Sequence, residues 1–160
     1  MPTEKKSPEP PHERRLIYGR RQGHRLHAAP ARRVSEMLPE FEPELSASDF
    51  KGWFGARAPE SGFDTYTLEI GFGGGEHLAA CAKAAPQTGF IGCEPFINGV
   101  AKLLGYIEAE GLENLCVHHG DARNVMAAMP AAALDQAFLL YPDPWPKKRH
   151  HKRRFVNQEN

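Results

Sequence analysis

Four stretches of the chain place residues with chemical potential directly after apolar segments. The first is Glu69-Ile70-Gly71-Phe72-Gly73-Gly74-Gly75. Glycines at Gly71 and Gly73 let a backbone turn tightly and approach a ligand closely. The run departs from the dinucleotide fingerprint, because the sixth position counted from Gly71 is Glu76, where that pattern needs a small residue. Glu69 adds a negative charge that suits a ligand amino group better than a pyrophosphate. The motif therefore favours S-adenosylmethionine over NAD. Glu94 ends the next apolar run, and an acidic residue there can accept hydrogen bonds from both ribose hydroxyls of an adenosine cofactor. Asp121, followed by Ala122, ends the third; it can receive an adenine amino group, cap the helix that follows, or do both. The fourth stretch is Tyr141-Pro142-Asp143-Pro144-Trp145-Pro146. Prolines on both sides of Asp143 fix the backbone and aim a carboxylate into the crevice where a methyl donor sits, while Trp145 offers a flat apolar face.

A basic run follows at once: Lys147, Lys148, Arg149, Lys152, Arg153 and Arg154, with His150 and His151 between them. Its place beside the presumed site argues for phosphate contacts rather than a merely solvated helix start. No Cys or acidic ligand is spaced to complete a metal site with the two histidines, and Cys81, Cys93 and Cys116 form no CxxC pair, so no metal is expected. Each cysteine reads as a small buried hydrophobe.

The elements that must position these residues alternate regularly. Strands are expected at 66–70, 89–93, 114–119 and 134–141. Glu76–Ala85 is Ala-rich and helical. Phe96, Ile97, Val100, Leu103, Leu104 and Ile107 lie on one helical face, with Gly111 as the C-cap. Arg123–Met129 makes a short helix stopped by Pro130. Upstream, a short helix around Arg32–Leu38 is broken by Pro39 and Pro43, and 46–63 reads as a loop with a helical turn. This alternation implies a parallel sheet with right-handed crossovers, whose ligands bind beyond the carboxyl ends of the strands.

The chain has 160 residues and a formal net charge of zero, which hides a segregation. Residues 1–33 carry nine Lys/Arg against three Glu, residues 34–146 five Lys/Arg against sixteen Asp/Glu, and residues 147–160 six Lys/Arg against one Glu. Two basic segments flank an acidic body, a pattern that suits a polyanionic partner. Residues 1–30, rich in proline near the start, read as a basic flexible arm, and 31–160 as the folded domain. No apolar run approaches the ~18 residues of a membrane span, and the polar N-terminus lacks a signal-peptide core. A cytoplasmic protein is expected.

Arg20-Arg21-Gln22-Gly23, Glu69-Ile70-Gly71-Phe72-Gly73 and above all Pro142–Pro146 with Lys147–Arg154 resemble the bacterial tRNA (guanine-N7-)-methyltransferases, the TrmB family, from about Arg14 to Asn160. The resemblance implies a Rossmann-like S-adenosylmethionine-dependent methyltransferase, with a parallel sheet and helices on both faces. It implies cofactor contacts at Glu69, Glu94, Asp121 and Asp143, with Gly71, Gly73 and Ala122 beside them. It marks Asp143 as catalytic, Lys147 as a guanine-site residue, and Arg149, His150, His151, Lys152, Arg153 and Arg154 as RNA-contacting. The substrate implied is tRNA, methylated at a guanine of the variable loop; no protein partner is required. Members of that family continue with further strands and a T-x-x-E motif, so this chain reads as one whose C-terminal strands are missing. Two rival readings remain open: a catalytically inactive RNA-binding fragment, and another nucleotide-cofactor enzyme such as an NAD-dependent oxidoreductase.

Overall fold

The computed structural model describes residues 21–156. Residues 1–20, with most of the basic arm, and residues 157–160 lie outside the described part. Four parallel strands, β1 (Thr65–Ile70), β2 (Thr88–Cys93), β3 (Leu115–His118) and β4 (Gln136–Leu139), form one sheet in the order β3-β2-β1-β4. The register sets Ile70 opposite Cys93 and Leu139, and Cys93 opposite His118, so all four strands end at one rim. Helices α4 (Glu76–Ala84) and α5 (Ile97–Glu110) connect β1 to β2 and β2 to β3; α6 (Ala122–Ala128) leads to β4. After β3 the chain returns to the other side of β1. The topological switch therefore falls between β1 and β4, where the glycine turn meets the Asp143 loop, and a crevice is expected there.

The period-2 alternation of the strands divides the core into two layers. Phe90, Leu115 and Val117 face α4 and α5, packing with Leu78, Val100, Leu103, Leu104 and Ile107. Leu68, Ile91, Cys93 and Cys116 face the opposite way, onto Phe50, Trp53, Phe54 and Val125. Helices thus cover both faces, as expected. Three details differ from expectation. The segment 46–63 is a working part of the core: α3 (Phe50–Phe54), capped by Asp49 through the Gly52 N–H at 2.8 Å, buries Phe50, Trp53 and Phe54. Its apolar residues are consecutive rather than periodic, so pattern alone could not distinguish a buried turn from a loop. The first helix, α1, runs Ala28–Glu36, and Pro39 opens a second short helix, α2 (Leu38–Phe41), instead of breaking the first. Prolines are tolerated in a first turn because its N–H groups have no intrahelical acceptor. Finally, β4 is shorter than its apolar run; its place as an outer strand among those described agrees with a sheet lacking further strands. Asp135 starts it by exchanging hydrogen bonds with the Tyr66 backbone at 2.8 and 3.0 Å. Tyr141 ends it with a left-handed φ of 51°. Among the described residues no helix is long and apolar enough to cross a membrane.

Candidate functional site

The glycine turn is built for close approach. Gly71, Gly73 and Gly75 all have positive φ. At Gly71 and Gly73 a Cβ would meet nothing within 4 Å, so the turn faces open space. The turn is held from behind. The Gly71 N–H donates to the Cys93 carbonyl at 2.8 Å, and Gly99, at the start of α5, lies against the Gly73 carbonyl.

Glu94 is buried, 7% exposed, and its carboxylate joins two elements. Oε2 accepts from the Gly73 N–H at 2.7 Å and Oε1 from the Phe96 N–H at 2.9 Å. Among the described residues no cation pairs with it, and each oxygen keeps acceptor capacity. Asp121 caps α6: its Oδ1 accepts from the Arg123 N–H at 3.0 Å, and both oxygens accept from the Arg123 guanidinium at 2.5–2.9 Å. The capping role weighed in the sequence is therefore present, and Arg123, which sequence reasoning treated only as a helix residue, brings a cation to the site. Its spacing of two from Asp121 was the available signal.

At the end of β4 the chain is strained. Tyr141, 98% exposed, and Trp145, with φ 37°, both occupy the left-handed region that bulky residues avoid. Such strain persists only where surrounding contacts impose it, and it concentrates at functional sites. The contacts here come from the basic run, which folds as a 3₁₀ helix (Lys148–Arg153) back onto the proline loop. Arg154 donates to the Pro144 and Trp145 carbonyls at 3.0 and 3.3 Å. The Arg153 guanidinium lies 5.0 Å from the Trp145 ring, and His150 meets that ring edge-on at 5.6 Å. Asp143 is exposed, and among the described residues no hydrogen bond or ion pair engages its carboxylate.

These strand ends enclose a cleft of about 330 Å³. Of the residues singled out in the sequence, Gly71, Glu94, Asp121, Ala122, Asp143, Lys152, Arg153 and Arg154 line it, together with Ile70, Pro95 and Leu139. Gly73, Lys147, Arg149, His150 and His151 do not. Glu69 is also outside the lining. Strand alternation turns it to the α4 face, where it is 3% exposed and its Oε2 meets His77 Nδ1 at 2.8 Å; His77 in turn meets Cys81 Sγ at 3.5 Å and the Phe138 ring edge-on. Cys93 lines the cleft, but burial pushes its thiol far above the ordinary range, with Glu42 and Asp121 adding to the effect, so it is no nucleophile. The arrangement offers an open glycine turn, a buried acceptor, apolar walls, and a carboxylate facing solvent beside a cationic rim.

A family model described as "Putative methyltransferase" matches residues 64–160. The chain is 50% identical over 143 residues to a tRNA (guanine-N(7)-)-methyltransferase of Rhodopseudomonas palustris (strain BisA53), covering 88% of this chain and 55% of that protein. It is 49% identical over 156 residues to one of Paracoccus denitrificans (strain Pd 1222), covering 96% and 66%. A third, of Roseobacter denitrificans, is 50% identical over 155 residues, covering 91% and 64%. The chain thus spans 55–66% of the length of these relatives.

Proposed function

Because the chain belongs to this methyltransferase family, we propose that it carries the cofactor half and part of the RNA-binding half of an enzyme that methylates N7 of a guanine in tRNA, with S-adenosylmethionine as donor. The observation that carries the reading is the convergence of the Gly71 turn, Glu94, Asp121 and Asp143 on one cleft at the switch point. The variable loop is the target region that the motif resemblance points to, and the reaction belongs to the cytoplasm. Residues 31–160, together with 21–30, which are bonded to α5 through Ile97 and Asn98, serve as the methyltransferase domain, and the basic residues before them contact RNA.

The residues present fit the cofactor. The two spare acceptor positions on Glu94 suit a ribose diol, and its pinned carboxylate needs no reorganisation to receive one. Ala122, Ile70 and Leu139 provide apolar walls for an adenine ring, with Asp121 at the edge. The open face of Gly71 and Gly73 leaves room for the amino acid end. The bound sulfonium compound supplies the electrophilic methyl group; the protein's own task is to orient and to stabilise charge. Guanine N7 has a lone pair and no proton to lose, so no strong general base is needed. The purine becomes cationic as the methyl arrives. Asp143, on a loop between the left-handed Tyr141 and Trp145 and lining the cleft, is the group that stabilises that charge. Lys152, Arg153 and Arg154 neutralise phosphates at the rim. Lys147, Arg149, His150 and His151 are outside the cleft lining, and they meet RNA beyond it.

Glu94→Ala is expected to weaken S-adenosylhomocysteine binding by about 1–3 kcal/mol, since it removes the diol acceptor. Calorimetry showing unchanged affinity would take Glu94 out of the cofactor site. Asp143→Ala is expected to slow tRNA methylation about 100-fold while leaving tRNA affinity nearly intact. The assay is methyl incorporation into unmodified tRNA, with mass spectrometry to identify N7-methylguanine. Normal turnover of the variant would deny Asp143 its role. Methyl transfer to another position would overturn the assignment of guanine N7.

A further inference from the structure

A second groove, of about 570 Å³, runs between the segment 24–33 and α5. Among the residues that line it there is no carboxylate, although residues 34–146, which include α5, carry sixteen Asp/Glu against five Lys/Arg. Its polar groups are instead His24, Arg25, His27, Arg33 and Lys102, with half-buried Tyr106 among them. The groove is a built feature. Asn98 acts as a clamp at its mouth, accepting from the Gly23 N–H at 2.8 Å and donating from Nδ2 to the His24 carbonyl at 2.8 Å, while the Ile97 N–H donates to the Arg21 carbonyl at 3.0 Å. Arg33 is steadied on its outer side by Glu108 at 2.6 Å and Lys102 by Glu76. Arg25 is exposed and has no ion pair among the described residues. Asn98 at this mouth directly precedes Gly99, which packs against the Gly73 carbonyl of the glycine turn.

Resting on the tRNA reading above, we infer that this groove holds the phosphodiester backbone of the substrate RNA, outside the nucleotide that is methylated. Arg25 and Lys102 meet phosphates, and the Tyr106 ring offers a face to a sugar or base. The enzyme then grips its substrate on two sides of the cofactor crevice, at the rim formed by Lys152–Arg154 and at this groove. The groove lining itself carries no carboxylate, and Glu76 and Glu108 hold Lys102 and Arg33 from outside that lining, so an acidic body still presents a cationic face to a polyanion here.

The test measures tRNA binding by fluorescence anisotropy across a salt series, for the parent chain and for the double variant Arg25→Ala, Lys102→Ala. Both side chains are exposed, and retained S-adenosylhomocysteine affinity checks that the fold is intact. A polyglutamate peptide serves as a second probe. The expected result is that the slope of log K against log salt falls by about 1.4–1.8 units, from about 0.7–0.9 per lost phosphate contact. An unchanged slope in a chain that binds tRNA overturns the groove assignment and leaves the proposed function standing. Loss of polyglutamate binding with unchanged tRNA binding makes the groove a site for an acidic peptide and overturns the RNA assignment. A parent chain that binds no tRNA removes both readings.

Discussion

Substituting Gly99 by alanine is expected to cost about 3 kcal/mol of stability and to cut cofactor affinity at the same time. A Cβ at this position would lie 1.9 Å from the Gly73 carbonyl oxygen and 2.9 Å from its carbon. Both are main-chain atoms, so no side-chain rotation relieves the clash. Helix α5 cannot retreat, because Val100, Leu103, Leu104 and Ile107 are all essentially inaccessible in the core. The glycine turn must move instead, which breaks the hydrogen bond from the Gly73 N–H to Glu94. Overpacking of a close-packed interior usually costs about 1–3 kcal/mol, and a backbone-to-backbone clash belongs at the upper end. Gly105→Ala is the control. It lies on the same helix, but its Cβ would come no closer than 3.5 Å to the Arg33 side chain. That substitution is expected to be neutral or stabilising by about 0.5–1 kcal/mol through helix propensity. Urea denaturation compares the two, and calorimetry with S-adenosylhomocysteine reads the site. Equal stability of the Gly99 and Gly105 variants would show that the turn does not rest on α5.

Asn114→Asp is expected to cost about 4 kcal/mol and to bring the chain close to unfolding. The Asn114 amide is buried, and its Nδ2 donates to the carbonyls of Ala82, Ala85 and Thr88 at 3.0, 3.1 and 2.9 Å. Two of these belong to the end of α4, where carbonyls lack helical partners, and the third opens β2. One side chain thus joins a helix end to a strand start. An ionised aspartate has no donor and sets a buried charge against three carbonyl oxygens, so the cost is the lost bonds plus the unpaired charge. Asn114→Ala removes the donor without adding charge and is expected to cost about 2 kcal/mol. Because Asn114 lies at the end of the sheet opposite the cleft, the folded fraction should bind S-adenosylhomocysteine normally, unlike the Gly99 variant. Denaturation curves and hydrogen exchange of the β2 and β3 amides measure the effect. An Asp variant as stable as the parent would mean that this junction is held by other contacts.

Much of the architecture was legible because its signals are local. The Gly71–Gly75 turn, the apolar stripe of α5 and the proline-bracketed Asp143 each specify conformation over a few residues, and together they implied parallel strands with helices on both faces. That Glu94, Asp121 and Asp143 meet at one rim could be read from the sequence because each directly follows an apolar run, and the parallel strands of such a sheet end together. The basic run after Asp143 was visible as charge, but its fold was not: it curls as a 3₁₀ helix because Arg153 and Arg154 find Trp145 and two carbonyls across the loop.

What remained hidden depends on partners distant in the chain. Local pattern could not tell that β4 pairs with β1, since an apolar run carries no mark of the strand it will lie beside. Trp53 and Phe54 looked like loop residues until the second face of the sheet was there to receive them. Glu69 sits beside the glycine turn in sequence, yet one step of strand alternation sends it to His77 and away from the cleft. Gly99 carries no local mark at all; its importance comes from a carbonyl 26 positions earlier in the chain. Composition, periodicity and turn residues thus specify the elements and the residue types at their ends. Which of those residues meet in one cleft, and which are spent on holding it together, follows from close packing between elements, and close packing is a property of the folded whole.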